Sequence, residues 1–267
     1  MSCLKKYVVL GLLFSATVLW SQELKKTTVR VLSFNILHGA TTNGSFDLDR
    51  IASVIKRADP DFVSLQEVDF KTKRAKRYDL PTELGYRTQM ASLFARAMPY
   101  DGGEYGEGVL SKYSFISSRN VALPYTQGNE PRAALEVTTV LKSGDTISFI
   151  GTHLDHLKTD TDRVSQAKAL NRAFKKNRYP TILSGDLNDE PNSRAISILE
   201  SYWKASYHHE AKLKPTFPSD HPVKKIDYVM TNPGNRWEVV STETICDTIA
   251  SDHCAYLVVL ALKPMKN

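Results

Sequence analysis

Apolar segments of strand length recur along this chain, and polar side chains that a hydrophobic core would not tolerate flank many of them. These flanking residues are Asn35, Gln66 with Glu67, His153, Asp186 with Asn188, Asp227, and Asp252 with His253. An ionisable group at the border of a core is costly unless it is paired or binds a metal. Rigid scaffolds also tend to carry their chemistry where strands end. The pattern therefore predicts one polar site built at the ends of several strands.

The segments between these residues alternate strand-like and helix-like patterns. Thr28–Leu37 and Phe62–Val68 have strand composition, whereas Asp47–Ala58 has apolar residues at helical spacing. Further predicted elements are strands at Val109–Tyr113, Phe115–Ser118, Arg132–Leu141, Thr146–Thr152, Tyr179–Leu183, Ile226–Met230, Trp237–Thr244 and Tyr256–Leu262, and helices at Val164–Phe174 and Arg194–Leu199. The turn at Lys142–Asp145 indicates a hairpin. Hairpins mixed with strand-helix-strand units predict mixed sheets that are covered by helices.

The composition is that of an ordinary globular protein, with 42% hydrophobic residues in 267. No repeat, low-complexity tract or linker divides the chain, so we expect a single domain over residues 28–264. The formal charge of +6 is mild. It would favour the approach of an anionic substrate, but it does not by itself indicate a nucleic-acid partner, which stays open.

The N-terminus has the pattern of an export signal. Lys5 and Lys6 precede an apolar run from Tyr7 to Trp20, and polar sequence begins at Ser21. The run is short for a membrane span but suits a signal peptide over residues 1–21. We therefore expect a secreted or periplasmic protein with no stable membrane insertion after cleavage. A buried N-terminal helix and a retained membrane anchor are the alternatives.

Two cysteines, Cys246 and Cys254, follow this signal. An oxidising compartment would permit a bridge between them, but one such pair is not a disulfide framework. Cys254 opens an apolar run, which favours a buried free thiol.

The residue types at the strand ends favour phosphate-ester chemistry. Glu67, Asp186 and Asp252 offer hard oxygen atoms that suit Mg²⁺, Mn²⁺ or Ca²⁺, and there is no cysteine cluster for zinc. His153 and His253 can transfer protons or bind phosphate if a carboxylate orients the ring. Hydrolysis of a phosphate ester requires neutralised phosphate oxygens, an activated water and a stabilised leaving group.

The chain resembles the endonuclease/exonuclease/phosphatase family in seven segments that occur in order from Ser33 to Tyr256. They are SFNILHG (33–39), LQEVD (65–69), YGEGVLSKY (105–113), GTHLDH (151–156), SGDLNDEP (184–191), IDYVM (226–230) and SDHCAY (251–256). The resemblance implies an α/β fold of four layers, in which two mixed sheets pack face to face and helices cover both outer faces. It also implies a divalent-metal-dependent phosphoric ester hydrolase.

The resemblance implies a metal site led by Glu67, with Asn35 beside it and Asp252 completing or neighbouring it. One departure concerns this site. Some family members have an acidic residue two positions after the Asn of the first strand, where this chain has Leu37. The departure favours a site that depends mainly on Glu67.

The resemblance also implies catalytic roles for several side chains. Asp186 would orient or deprotonate the attacking water, and Asn188 would hold a phosphate oxygen. His253 would face the phosphate, with Asp227 fixing its other ring nitrogen.

A second histidine, His153, is implied by the same resemblance, with Glu107 as its carboxylate partner. Tyr105 would donate a hydrogen bond to a phosphate oxygen. Because the segment Asp101–Gly108 is rich in glycine, we expect it to be a flexible lip that carries both residues.

Other candidates have competing interpretations. Arg132 could bind substrate phosphate or be an exposed arginine at a strand edge. The basic run from Lys71 to Arg77 could contact an anionic substrate, but the pattern favours a solvated loop. The sequence His153-Leu154-Asp155-His156 is similar to part of a zinc-hydrolase motif, although Gly151 stands where that motif needs its first histidine.

The leading hypothesis is a secreted phosphodiesterase or phosphomonoesterase in which an activated water attacks phosphorus in line. The alternatives are a catalytically silent module of the same fold that binds a phosphorylated ligand, and a zinc hydrolase that uses the HLDH segment. The sequence leaves the substrate open among nucleic acid, lipid head groups, and inositol or sugar phosphates.

Overall fold

Two six-stranded sheets face each other at the centre of the fold, in a computed structural model that describes residues 27–234 and 236–264. The strands are β1 Thr27–Asn35, β2 Phe62–Phe70, β3 Ala91–Tyr100, β4 Gly103–Ser111, β5 Phe115–Ala122, β6 Ala133–Val140, β7 Thr146–His153, β8 Thr181–Asp186, β9 Lys204–Ala205, β10 Asp227–Thr231, β11 Trp237–Ile245 and β12 Ala255–Leu262. The first sheet has the order β11-β12-β1-β2-β4-β3, and the second has the order β5-β6-β7-β8-β10-β9. The signal peptide predicted over 1–21 lies outside the described residues.

Helices cover the outer face of each sheet and complete the four layers expected from the sequence. They are α1 Leu48–Ala58, α2 Leu80–Thr88, α3 Thr161–Phe174 and α4 Arg194–Glu200. Helix α1 packs Ile51 and Ile55 against the first sheet, and α3 packs Leu170 and Phe174 against the second. Each helix therefore buries one apolar face, as its residue spacing predicts. In the described part of the chain, no helix is long and apolar enough to cross a membrane.

The core between the sheets is formed by alternate residues of the facing strands. Phe62 of β2 packs against Phe149 of β7, with ring centroids 5.1 Å apart. Val31 and Val258 belong to the same buried cluster. Side chains on the opposite face of each strand pack against the helices, so the central strands are buried on both faces and have largely apolar sequences.

Each sheet contains one strand-helix-strand unit whose two strands are parallel. In the first sheet β1 and β2 flank α1, and in the second β7 and β8 flank α3. The register pairs Asn35 with Gln66 and His153 with Asp186 at the carboxyl ends of these strands. The polar residues that flank the apolar segments are thereby brought to one edge of the sandwich, as the strand pattern predicts.

Two local predictions were wrong. The segment Asp101–Gly108 is not a flexible lip, because most of it belongs to β4, which lies between β2 and β3 in the sheet. Its glycines permit close packing: a Cβ on Gly106 would lie 2.0 Å from the Ala95 carbonyl oxygen. Cys246 and Cys254 form a disulfide instead of leaving a free thiol. Pairing of β11 with β12 brings their chain segments together, since Ile245 is opposite Ala255.

Gly185 allows β8 to lie against β7 at the edge that carries His153 and Asp186. A Cβ at this position would lie 1.9 Å from the Thr152 carbonyl oxygen, which is part of the backbone and has little freedom to move. We predict that Gly185→Ala lowers the free energy of unfolding by about 2 kcal/mol or more, because overpacking a core typically costs about 1–3 kcal/mol. Chemical denaturation would measure the change. Ser184→Ala is the matched control next to it, and an equal loss in both variants would contradict the steric explanation.

Candidate active site

A polar pocket opens at the edge where the two parallel strand pairs end. Of the residues predicted from the sequence, the following line it: Glu67, Tyr105, Arg132, His153, Asp186, Asn188, Asp252 and His253. Asn35 and Asp227 lie behind these side chains and hydrogen-bond to them. The predicted residues therefore meet in one place, although they come from distant parts of the chain.

Glu67 enters the pocket from a bulge in β2. The pairing of β2 with β4 is irregular between Leu65 and Val68, and Glu67 has a left-handed backbone with φ of 55°. Its Oε1 accepts a hydrogen bond of 3.2 Å from Asn35 Nδ2. The side-chain oxygen of Asn35 accepts from the backbone N–H of Leu37, so Asn35 orients Glu67 through its amide nitrogen instead of directing its own oxygen into the pocket.

The carboxylates of Glu67 and Asp252 suit a divalent cation. Burial raises the pKa of Asp252, and the negative charge of Glu67 raises it further. Burial also acts to raise the pKa of Glu67, but hydrogen bonds from His38 and Asn35 outweigh it and hold that pKa below its usual value. Two acidic groups that repel each other in a half-buried pocket are stabilised by a shared cation. The donor set therefore fits Mg²⁺, Mn²⁺ or Ca²⁺ at Glu67.

His253 is held between two buried carboxylates. Its Nδ1 lies 3.0 Å from Asp227 Oδ2, and its Nε2 lies 3.6 Å from Asp186 Oδ2. Burial acts to lower the pKa of His253, but the negative charges of Asp227 and Asp186 outweigh burial and raise it. The ring therefore favours the imidazolium form, with Nε2–H directed toward the pocket. Phe217 packs against the ring at a centroid distance of 4.8 Å and limits its rotation.

Asp186 is buried and connects several parts of the site. Burial raises its pKa, whereas the charge of His253 and hydrogen bonds from the Asn188 backbone and Asn35 Nδ2 oppose this. A carboxylate with a raised pKa is suited to accept a proton near neutral pH. Asp186 therefore has the environment of a general base.

Asp186, Asp227 and His253 also place one ligand-type atom each within 4.8 Å of one another, so this group could hold a cation. His253 Nδ1 and Asp227 Oδ2 already contact each other, so these two atoms have a partner without a metal. Within the described residues, this is the one such converging group, and it includes neither the HLDH residues His153, Asp155 and His156 nor the carboxylates of Glu67 and Asp252. The arrangement therefore gives no support to zinc binding by the HLDH segment.

His153 has the opposite charge preference to His253. Arg132 Nη1 lies 2.9 Å from its Nδ1, and a guanidinium can only donate. Nδ1 must accept, which leaves the ring proton on Nε2, where Asp186 Oδ2 at 3.5 Å can accept it. Asn188 Nδ2, 2.9 Å from Nε2, is itself a donor and gives its hydrogen bond to the Leu154 carbonyl oxygen. Burial and the charge of Arg132 both lower the pKa of His153. His153 is therefore a neutral hydrogen-bond donor at the pocket surface.

The partner that the resemblance implied for His153 is not the one observed. Glu107 is fully buried, and neither of its carboxylate oxygens has a hydrogen-bond partner among the described residues. Burial raises the pKa of Glu107 well above its usual value. Arg132 contacts the His153 imidazole because the register of β6 and β7 places residues 132 and 153 near each other at one end of the hairpin. Glu107 belongs to β4, in the facing sheet.

Arg132 is not an exposed arginine at a strand edge. It is only 2% exposed and forms a 3.0 Å ion pair with Glu130, and its Nη2 lies 3.1 Å from His156 Nδ1. The position of Arg132 in the pocket is consistent with contact to substrate phosphate.

Tyr105 lies in the same pocket. Burial raises the pKa of its hydroxyl, which keeps it a hydrogen-bond donor.

Several pocket residues were not predicted. His38 Nδ1 lies 3.4 Å from Glu67 Oε2, and Phe217 and Tyr100 form parts of the wall. Of the basic run, Arg74 lines the pocket, and Asp69 holds it through two hydrogen bonds of 2.7 and 2.8 Å. The one sequence signal that could have indicated His38 is its place in the SFNILHG segment (33–39), which carries the family resemblance. No local pattern marks the others.

Comparison with known proteins agrees with this arrangement. The model of the endonuclease/exonuclease/phosphatase family matches residues 32–253, and the chain belongs to that family. Its members are metal-dependent hydrolases of phosphate esters. A search of curated proteins gives no match by sequence.

Solved structures share the fold at low sequence identity. An endonuclease/exonuclease/phosphatase from Beutenbergia cavernae is 23% identical, with a TM-score of 0.71 over 88% of this chain and 72% of that one. The human Nocturnin catalytic domain with bound sulfate is 20% identical, with a TM-score of 0.70 over 88% and 94%. A mannosyl-6-phosphatase from Bacteroides thetaiotaomicron is 19% identical, with a TM-score of 0.67 over 87% and 99%.

Glu107 should make folding stability depend on pH. An acid whose pKa is raised on folding stabilises the native state most below its unfolded pKa of about 4.3, and this contribution is lost as the pH rises. The melting temperature of Glu107→Gln should therefore exceed that of the wild type by more at pH 8 than at pH 4.5. Thermal unfolding of both proteins at both pH values would measure this. Glu243→Gln, on the exposed part of β11, is the control; a shift for Glu107→Gln that does not change with pH would contradict the prediction.

Proposed function

We propose that this chain is an exported, divalent-metal-dependent phosphoric ester hydrolase that works by in-line attack of an activated water. The observation that carries the proposal is the convergence of Glu67, Asp186 and His253 on one pocket. Asn35 orients both Glu67 and Asp186, and Asp227 orients His253. A binding module would not need a buried carboxylate with a raised pKa beside a charged imidazole. In this proposal residues 28–264 act as one domain, and residues 1–21 direct export.

Glu67 and Asp252 would hold the cation, and Asn35 would position Glu67. The bound cation would neutralise charge on the phosphate oxygens and on the leaving group. The remaining steps depend on side chains of the chain itself.

Asp186 would accept the proton of the attacking water. Two hydrogen bonds, from the Asn188 backbone at 2.9 Å and from Asn35 Nδ2 at 3.2 Å, fix its carboxylate. Both bonds leave the carboxylate facing His153 and His253, between which a phosphate oxygen and a water could lie. Because the carboxylate is held in a fixed orientation, the water and its base would meet in the geometry that the reaction needs, which lowers the entropy cost of the step.

The two histidines would act as different kinds of donor. His253, charged and oriented by Asp227, would donate to a phosphate oxygen on which negative charge develops. His153 would donate from its neutral Nε2–H, and Asn188 and Tyr105 would add uncharged donors. Arg132 would supply a fixed positive charge behind His153.

The pocket supports small phosphate esters as substrates. Glu130, Asp189 and Glu190 contribute acidic groups to its wall, whereas carboxylates already hold both Arg74 and Arg132. Among the described lysines and arginines of the pocket, Lys224 is the cation without a carboxylate partner. A polyanion is favoured by a continuous basic groove, which this charge distribution does not supply.

The mechanism predicts that chelation of divalent metal abolishes activity. It also predicts that Glu67→Ala, Asp186→Ala and His253→Ala each lower kcat by at least about 100-fold, the usual effect of losing one such group. The assay would follow hydrolysis of bis-p-nitrophenyl phosphate and p-nitrophenyl phosphate with Mg²⁺ or Mn²⁺. His209→Ala, outside the pocket, is the control. A near-normal rate for His253→Ala would contradict this mechanism, and no turnover by the wild type would favour a binding module.

The substrate prediction requires a separate panel of natural esters. The purified protein should release phosphate from hexose phosphates faster than it degrades DNA or sphingomyelin, because one unpaired lysine, Lys224, does not form the basic groove that a polyanion needs. Initial rates at equal substrate concentration would measure this. Faster cleavage of single-stranded DNA than of every sugar phosphate would contradict the substrate class and leave the hydrolytic mechanism intact.

A further inference from the structure

His38 is held beside Glu67 by an unusual stretch of backbone. After β1 ends, Leu37 and His38 both adopt left-handed conformations, with φ of 45° and 46°. Residues with a Cβ adopt this conformation at a cost of roughly 1–3 kcal/mol each, and such residues cluster at ligand clamps and active sites. The turn directs the His38 imidazole into the pocket.

The contact between His38 and Glu67 has a geometry that one cation can share. Asn35 Nδ2 covers Glu67 Oε1 at 3.2 Å, whereas His38 Nδ1 faces Oε2 at 3.4 Å. Neighbouring ligands of an octahedral ion, each about 2.1 Å from the metal, lie about 3.0 Å apart. A small movement of either side chain would therefore let one ion contact both Nδ1 and Oε2.

An ion pair alone does not explain this arrangement. Each of the two side chains is 26% exposed, and a pair in contact with solvent contributes about 0–1 kcal/mol. That is less than the backbone strain at Leu37 and His38. The chain also has Leu37 where some family members have a second acidic residue, and Asn35 turns its oxygen toward the Leu37 N–H. Among the described residues, the hydrogen-bond partner of Glu67 Oε2 is His38 Nδ1.

We infer that His38 Nδ1 is a nitrogen ligand of the divalent ion at Glu67, and that it gives the site a preference for Mn²⁺ over Mg²⁺ and Ca²⁺. The inference rests on the proposed function only in placing the ion at Glu67. Imidazole nitrogen raises the affinity of a site for first-row transition ions, of which Mn²⁺ binds most weakly, and it adds less for Mg²⁺ and Ca²⁺, which are bound mainly by oxygen. The metal preference would then depend on the left-handed turn at Leu37 and His38, which places the imidazole beside Glu67.

Pulsed electron paramagnetic resonance of the protein with Mn²⁺ alone tests this ligand without an activity assay. The wild type should show hyperfine coupling from a directly bound ¹⁴N nucleus, and His38→Asn should lose it. Asparagine is chosen because it tolerates a left-handed backbone. The control is His156→Gln, which removes a different pocket imidazole and should retain the coupling. His38→Gly, which also permits this backbone, is the second variant if His38→Asn does not fold.

Calorimetric titration supplies a second measurement. Removal of a side chain that supports a metal site typically costs 10–100-fold in affinity, so His38→Asn should weaken Mn²⁺ binding by at least about 10-fold. Binding of Mg²⁺ should change much less. Coupling that persists in His38→Asn, or an unchanged Mn²⁺ affinity, would overturn the inference. Glu67→Gln separates the two proposals: if it retains normal Mn²⁺ binding, the metal site of the proposed function is also wrong.

Discussion

The amide of Asn35 joins the two halves of the site. Its Nδ2 donates to Glu67 Oε1 in the first sheet and to Asp186 Oδ2 in the second, at 3.2 Å in both cases. The proposed cation and the proposed base are therefore positioned by one side chain. Ser64 adds a second connection between the sheets, since its Oγ donates to the Ser184 carbonyl oxygen at 3.0 Å. Because the sheets pack through a rigid core, these hydrogen bonds hold the carboxylates of Glu67 and Asp186 at a fixed separation.

Two histidines in one pocket differ in charge because their neighbours differ. Asp227 and Asp186 raise the pKa of His253, whereas Arg132 and burial lower the pKa of His153. The same residue type is therefore suited to stabilise developing negative charge at one position and to act as a neutral donor at the other. This difference arises from partners in other segments of the chain, and in the proposed function the two kinds of donor would both face a phosphate group.

Local patterns predicted the strands that carry the site, but not all of the strands around them. The segments that end at Asn35 and His153 are apolar and of strand length, so their structure follows from composition. Strand β4 was predicted only at its end, within Val109–Tyr113, because the glycines before it resemble a loop, although they are required by close contact with β3. The disulfide of Cys246 and Cys254 was also missed, since it depends on the pairing of β11 with β12.

The sequence by itself determined the strand-helix-strand units, the family, and the acidic, amide and imidazole groups available for chemistry. It did so because hydrophobic periodicity and strand-end polarity are local properties of the chain. Only the tertiary structure decided which groups touch: Arg132 instead of Glu107 against His153, and His38 beside Glu67. Such contacts depend on strand register, sheet packing and backbone conformation across long sequence separations, and no short segment encodes them alone.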